Sequence, residues 1–152
     1  MKDISMVDMI KAISEHSITI IDNDITIRNM IKNTFKSIGI NVVNSHSTNE
    51  IGLDIPCTSS IYIISLDEPV ITSFNIISNI KLNTDCTVVV LSKYIEEEYQ
   101  NMSKYSGSDY YIHKPIDFIN LVETLYEAVE VNNDWYKKKY RNIKKTQNWY
   151  NK

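Results

Sequence analysis

The sequence predicts an α/β protein built on a doubly wound, parallel, five-stranded sheet. Short runs rich in β-branched residues alternate with longer amphipathic stretches, which is the pattern of βαβ units around such a sheet. The central runs, such as Ile61–Ile64, are apolar at every position, as expected for strands that are buried on both faces. A length of 152 residues favours one domain with short extensions.

The predicted strands and helices follow one another in strict alternation. In chain order the predicted strands are Ile18–Ile21, Asn41–Asn44, Ile61–Ile64, Thr87–Ser92 and Tyr110–Ile112. The first helix between them is capped by the segment Asp22-Asn23-Asp24, because Asp and Asn side chains cap helix N-termini, and it ends at Gly39. The later helices are expected at about Thr48–Leu53, Ile71–Leu82 and Ile95–Tyr105, with the last starting near Asp117.

Helical patterns also extend beyond both ends of this domain. An apolar stripe from Met6 to Ile13 predicts an added N-terminal helix, and apolar spacing from Leu121 through Ile143 predicts an extended last helix. We therefore expect an N-terminal helical extension at 1–16, a flavodoxin-like (βα)5 domain at 17–131 and a basic, aromatic helical tail at 132–152.

Charge is distributed unevenly along the chain. Residues 131–152 hold seven Lys or Arg against one acid, Asp134, so with a formal net charge of −3 the remaining residues carry −9. No apolar run approaches the roughly 18 residues of a membrane span, and the N-terminus lacks the apolar core of a signal peptide. The two cysteines stand apart without a nearby Cys or His cluster, which argues against a zinc site. We expect a cytoplasmic protein without membrane association.

Polar residues follow the central strands at the positions where those strands end. Asp22 and Asn23 follow strand one, Ser65 strand three, Ser92 closes strand four, and Lys114-Pro115 follows strand five. Loops at the carboxyl ends of parallel strands converge on one crevice, so these side chains are expected to form one site.

The order and spacing of these residues resemble the receiver domain of response regulators, the CheY-like family, over about residues 17–131. Arg28, Gly107 and Tyr111 also fall where that family places a helix-one arginine, a turn glycine and a switching aromatic residue. The alternative is an unrelated flavodoxin-like domain whose strand ends are polar by chance. The resemblance implies a signalling module of a two-component system.

The chain departs from the family at the phosphoacceptor, because the segment Ser65-Leu66-Asp67-Glu68-Pro69 has serine where the family has its aspartate. An acyl phosphate needs a carboxylate nucleophile beside a metal ion, so Ser65 cannot form one. Asn23 replaces the second metal-binding acid, which leaves Asp22 and, as a weak candidate, Asp67. We expect no cofactor and weak or absent Mg²⁺ binding.

The other site residues have structural interpretations. Asp67 is expected to be a solvated loop acid, although an inward turn would make it a rival phosphoacceptor. Asp24 is expected to cap the first helix, and Lys114 to pair with Asp22. The resemblance implies that Ser92 and Tyr111 form the switch pair. It also implies a small residue next to the switch hydroxyl, where this chain has Lys93, whose bulk could crowd the site.

These residues predict a degenerate pseudo-receiver that is not an enzyme and that binds a regulatory protein, or a second copy through its last helix. Two other hypotheses stay open: a nucleic-acid-binding regulator that uses the basic tail, and a receiver phosphorylated on Asp67. Lysines interleaved with Trp and Tyr suit phosphate neutralisation and base stacking. A helix that packs its aromatic side on a partner subunit while its lysines stay solvated, or that covers the domain's own acidic surface, explains the same pattern and is favoured.

Overall fold

The computed structural model describes residues 3–51 and 59–130. The helices are α1 (Met6–Ser14), α2 (Ile25–Ser37), α3 (Thr48–Ile51), α4 (Val70–Asn83), α5 (Glu97–Ser106) and α6 (118–130). The strands are β1 (Ile18–Ile21), β2 (Val42–His46), β3 (Ile61–Ser65), β4 (Thr87–Ser92) and β5 (Tyr110–His113). No helix within these residues is both long enough and apolar enough to cross a membrane.

All strand pairs are parallel, and their order is β2-β1-β3-β4-β5. Every residue of the three central strands β1, β3 and β4 is buried, whereas the edge strands β2 and β5 are partly exposed. Burial on both faces is why the central runs are apolar at nearly every position. The predicted fold class, a flavodoxin-like doubly wound sheet, is confirmed.

Two apolar layers cover the sheet. One packs α1, α2 and α6 against it, around residues that include Ile13, Phe35 and Leu125. The other packs α4 and α5 around residues that include Phe74 and Tyr62. The predicted N-terminal helix is therefore present as α1, and its residue Ile13 is fully buried in the first layer.

Some predicted boundaries were wrong by one or two residues. Strand β2 runs to His46 rather than Asn44, because its pairing with β1 continues to the Ile21 and His46 pair. Helix α5 begins at Glu97, not Ile95, after an extended residue at Glu96. It ends at Ser106, one residue beyond the predicted Tyr105, and Gly107 caps it at φ 116°, a left-handed conformation that glycine adopts without strain. The expected end of α3 at Leu53 and the helix beyond 130 lie outside the described residues.

Candidate functional site

The sheet register brings the polar strand ends together. Ile21 of β1 pairs with Ile64 of β3, so Asp22 and Ser65 follow at adjacent positions. Ser92 of β4 pairs with the last residue of β5, and Lys114 comes next along the chain. These four of the residues that the sequence assigned to the site therefore lie at one carboxyl edge of the sheet.

Asp22 is a buried carboxylate with two separate partners. Its residue is 1% exposed, its Oδ1 accepts the backbone N–H of Asp24 at 2.9 Å, and its Oδ2 lies 3.3 Å from Lys114 Nζ. Burial raises the pKa of Asp22; the Asp24 amide and the Lys114 charge lower it, and the negative charge of Asp67 adds to the rise. The buried acid is thus held by one amide and one cation.

Ser65 joins that ion pair to the β3–α4 loop. Lys114 Nζ donates to Ser65 Oγ at 2.7 Å, and Ser65 Oγ in turn donates to Asp67 Oδ1 at 3.2 Å. Ser65 is itself only 1% exposed. The Ser65 hydroxyl is therefore engaged on both sides by groups of the same chain.

Asp67 turns inward, and the interpretation of a solvated loop acid was wrong. Besides accepting from Ser65, its Oδ2 accepts the backbone N–H of Asn23 at 2.8 Å. Carboxylates attract backbone amides strongly, and the loop before α2 presents one within reach. The result is a continuous run of hydrogen bonds through Lys114, Ser65, Asp67 and Asn23, which we call the polar chain.

Buried Ser73 of α4 fixes the loop that carries Asp67. Its hydroxyl accepts the backbone N–H of Asp67 at 3.2 Å and donates to the carbonyl oxygen of Ser65 at 3.2 Å. The sequence analysis missed this residue, because a serine on an apolar helix face carries no signal of what it contacts. The hydrogen bond from the Asp67 backbone to buried Ser73 thereby stabilises the inward orientation of Asp67.

The side chain of Asn23 points away from the site. Its Oδ1 accepts both the backbone N–H and the hydroxyl of Thr48, each at 2.8 Å, and so holds the start of α3. The Mg²⁺ of receiver domains would need several free oxygen ligands here. Both oxygens of Asp22 and of Asp67 are already hydrogen-bonded or ion-paired, and the described residues contain no cluster of three metal-ligating side chains. This donor set does not fit the ion.

Ser92 and Tyr111 are connected through the backbone of Tyr94. Ser92 Oγ accepts the N–H of Tyr94 at 3.0 Å, and the hydroxyl of Tyr111 donates to the carbonyl oxygen of Tyr94 at 2.8 Å. Burial raises the pKa of Tyr111, so its hydroxyl stays a donor at neutral pH. A side-chain hydrogen bond between Ser92 and Tyr111 also lowers the pKa of Tyr111, against the larger effect of burial. The two residues therefore lie together, and the sequence analysis missed the contact that each makes with Tyr94.

Three further predicted residues are also placed. Asp24 caps α2, with Oδ1 accepting the N–H of Thr26 at 2.9 Å. Arg28 is buried and donates through Nη1 to the carbonyl oxygen of Asp22. Lys93 is exposed, and its Nζ lies 5.5 Å from the ring centroid of Tyr94. Arg28 and Asp24 therefore fix the backbone around Asp22, whereas Lys93 lies against an aromatic ring.

The architecture is that of receiver domains. No protein-family model and no curated protein matches the chain. It is similar to a response regulator from Thermotoga maritima, with a TM-score of 0.64 at 21% identity over 75% of this chain and 97% of that one. It is also similar to a CheY-like receiver domain protein from Methanospirillum hungatei JF-1, with a TM-score of 0.67 at 19% identity over 78% of this chain and 96% of that one. With the receiver domain of the Francisella response regulator 1452, the TM-score is 0.62 at 25% identity over 74% of this chain and 97% of that one.

Proposed function

We propose that this chain is a phosphorylation-independent, receiver-like signalling module of a two-component-type system, which acts by binding a regulatory protein or a second copy of itself. The observation that carries the proposal is the polar chain. The phosphoacceptor position holds a buried serine that is already hydrogen-bonded to Lys114 and to Asp67. A domain in this condition can present a surface without first receiving a phosphoryl group.

The chemistry around Ser65 argues against phosphoryl transfer and against an enzyme. A serine hydroxyl needs a neighbouring base to become a nucleophile. Lys114, as an ammonium group paired with Asp22, has no lone pair to accept that proton. Asp67 Oδ1 does accept the hydroxyl, at 3.2 Å, so the case against this serine rests on its burial. A hydroxyl that is 1% exposed is closed to a substrate. The site is thus suited to holding the loops in place.

Treatment with acetyl phosphate and Mg²⁺ is expected to leave the wild-type chain unmodified, because serine occupies the expected acceptor position and the carboxylates of Asp22 and Asp67 are already bonded within the chain. Mass spectrometry of the intact protein tests this expectation. An adduct of about 80 Da would contradict it, and peptide mapping would then identify the acceptor.

Asp67 is the second candidate, because its carboxylate faces the site. Both of its oxygens accept hydrogen bonds, from Ser65 Oγ and from the N–H of Asn23, so an in-line attack would first have to break one of them. If mapping places the adduct on Asp67, and Asp67→Asn abolishes it, the chain is a receiver with an atypical acceptor and the phosphorylation-independent proposal fails.

The full chain is expected to form a homodimer that weakens as the salt concentration rises. The seven basic residues in 131–152 of one copy would be attracted to the acidic remainder of the other. Sedimentation at two salt concentrations measures this. A monomer at high micromolar concentration in low salt would reject self-association. A salt-dependent affinity for DNA or RNA that is lost on removing 132–152 would favour the nucleic-acid function instead.

A further inference from the structure

An open groove lies beside the site, between the start of α4 and the loop that precedes α5. Its volume is about 570 Å³, and the residues that line it are Glu68, Pro69, Val70, Ile71, Tyr94 and Tyr99. It lies on the α4 and α5 side of the sheet, near the carboxyl edge. None of these residues belongs to the polar chain.

One wall of the groove is aromatic. The rings of Tyr94 and Tyr99 stack with centroids 4.3 Å apart and planes 18° apart. The hydroxyl of Tyr94 donates to Glu68 Oε1 at 2.8 Å, which holds the ring across the opening. Ile71 is 57% exposed, and so adds apolar surface that nothing in the described chain covers. A wall of this kind is suited to apolar and aromatic side chains.

Acidic residues line and adjoin the groove. Glu68 lines it and is exposed, and the exposed residues Glu96, Glu97 and Glu98 directly precede the lining residue Tyr99 in the chain. Lys93 is the nearby cation in the described chain, and its charge lies over the ring of Tyr94. Four carboxylates against one lysine favour an occupant that is basic.

We propose that this groove binds residues 131–152 of a second copy of the chain. That segment carries seven Lys or Arg, one acid and five aromatic residues, so it offers both the cations and the rings that the groove suits. The inference rests on the self-association proposed above, and it adds the surface on which the segment binds. Each copy would give its segment and receive the other's, as a two-fold dimer requires.

The position of α6 favours a second copy over the same molecule. Helix α6 packs with α1 and α2 on the opposite face of the sheet from the groove. Because it follows β5 and runs back along the parallel sheet, it ends near the amino edge, whereas the groove is at the carboxyl edge. A segment that leaves residue 130 thus starts at the opposite face and the opposite edge of the sheet from its own groove.

The first experiment places a cation in the groove. Ile71→Lys is expected to weaken the dimer at least about tenfold, since a lysine there repels the basic segment and removes apolar contact. The matched control is Ile119→Lys, because Ile119 is 62% exposed at the same second position of its helix, but on α6 in the other layer. Both are measured in the full chain by sedimentation in low salt.

The second experiment tests whether the groove and the segment act on each other. A full chain with Lys137→Gln, Lys138→Gln and Lys139→Gln keeps its groove but has a weaker segment, and it should also dimerise poorly. Mixed with the Ile71→Lys chain, it should form mixed dimers more tightly than either variant alone, because one intact groove then meets one intact segment.

These outcomes separate the two proposals. A wild-type chain that stays monomeric rejects self-association, and with it this inference. A wild-type dimer that Ile71→Lys leaves as tight as the control does, or a mixture that associates no better than its components, overturns the groove assignment alone.

Discussion

Replacing Lys114 with methionine is expected to lower the free energy of unfolding by about 3 kcal/mol near neutral pH, because the change leaves a buried charge without its partner. Asp22 is 1% exposed, and Lys114 is the cation paired with it. Methionine fills similar volume, so packing losses should be small by comparison. Urea denaturation of both proteins measures the difference.

This loss should depend on pH in a defined direction. The folded pKa of Asp22 is raised above its ordinary value of 3.8, chiefly by burial, so the folded state holds the proton more tightly than the unfolded state does. Its contribution to stability is then complete below 3.8 and is lost as pH rises through the folded pKa. Without Lys114 the pKa rises further. The variant should therefore approach wild-type stability in acid and fall furthest behind it above that window.

Two controls isolate the ion pair. Lys32→Met removes an exposed lysine from α2 and should change the stability little. Adding Asp22→Asn to Lys114→Met removes the uncompensated charge and should recover part of the loss. If Lys114→Met costs no more than Lys32→Met, or if its cost is the same in acid, the buried pair is not what stabilises this edge of the sheet.

A phosphorylatable site is expected to return when three residues are changed together: Ser65→Asp, Asn23→Asp and Asp67→Ala. The first supplies the nucleophile next to Lys114, and the second restores the missing acid. The third removes the carboxylate that now accepts the Ser65 hydroxyl and the Asn23 amide. After acetyl phosphate and Mg²⁺, this variant should carry an adduct of about 80 Da that the wild-type chain lacks.

Partial variants show which change matters. Ser65→Asp with Asn23→Asp alone should react less, since Asp67 still accepts the backbone N–H of residue 23 and adds a fourth negative charge to the site. Asp67→Ala alone should not react, because serine still occupies the acceptor position. An unreactive triple variant with intact folding would mean that Lys93 or the loop geometry blocks the approach, and that Asp67 is not the obstacle.

The sequence predicted the sheet well because its central strands are buried. The apolar runs of β1, β3 and β4 lie within one residue of their expected positions. The end of β2 could not be predicted, because the polar residues Ser45 and His46 are strand only through pairing with β1. The start of α5 was missed because Ile95, an apolar residue that fits the helical pattern, is 75% exposed in the preceding loop.

The sequence predicted which residues lie at the site, but not which way their side chains point. The strand ends locate Asp22, Ser65 and Lys114, since a parallel sheet places these positions side by side. Whether the side chain of Asp67 faces the site or the solvent depends on which amides the neighbouring loop before α2 presents, and that is a property of the folded chain. Tyr94 gave no signal because it connects Ser92 and Tyr111 through backbone atoms, which every residue type carries.

The polar chain also bears on how such a domain could carry information. A protein that is switched by covalent modification changes its affinity while its amount stays constant. Under the proposed function, the hydrogen bonds of Ser65 and Asp67 fix the loop after β3 without a phosphoryl group, so the affinity for a partner would be set once, by the sequence. Partner occupancy then follows concentration relative to Kd, and so does pairing of like copies. The signal would then be the rate at which the protein is synthesised and degraded. The response time would be the time in which the protein is turned over.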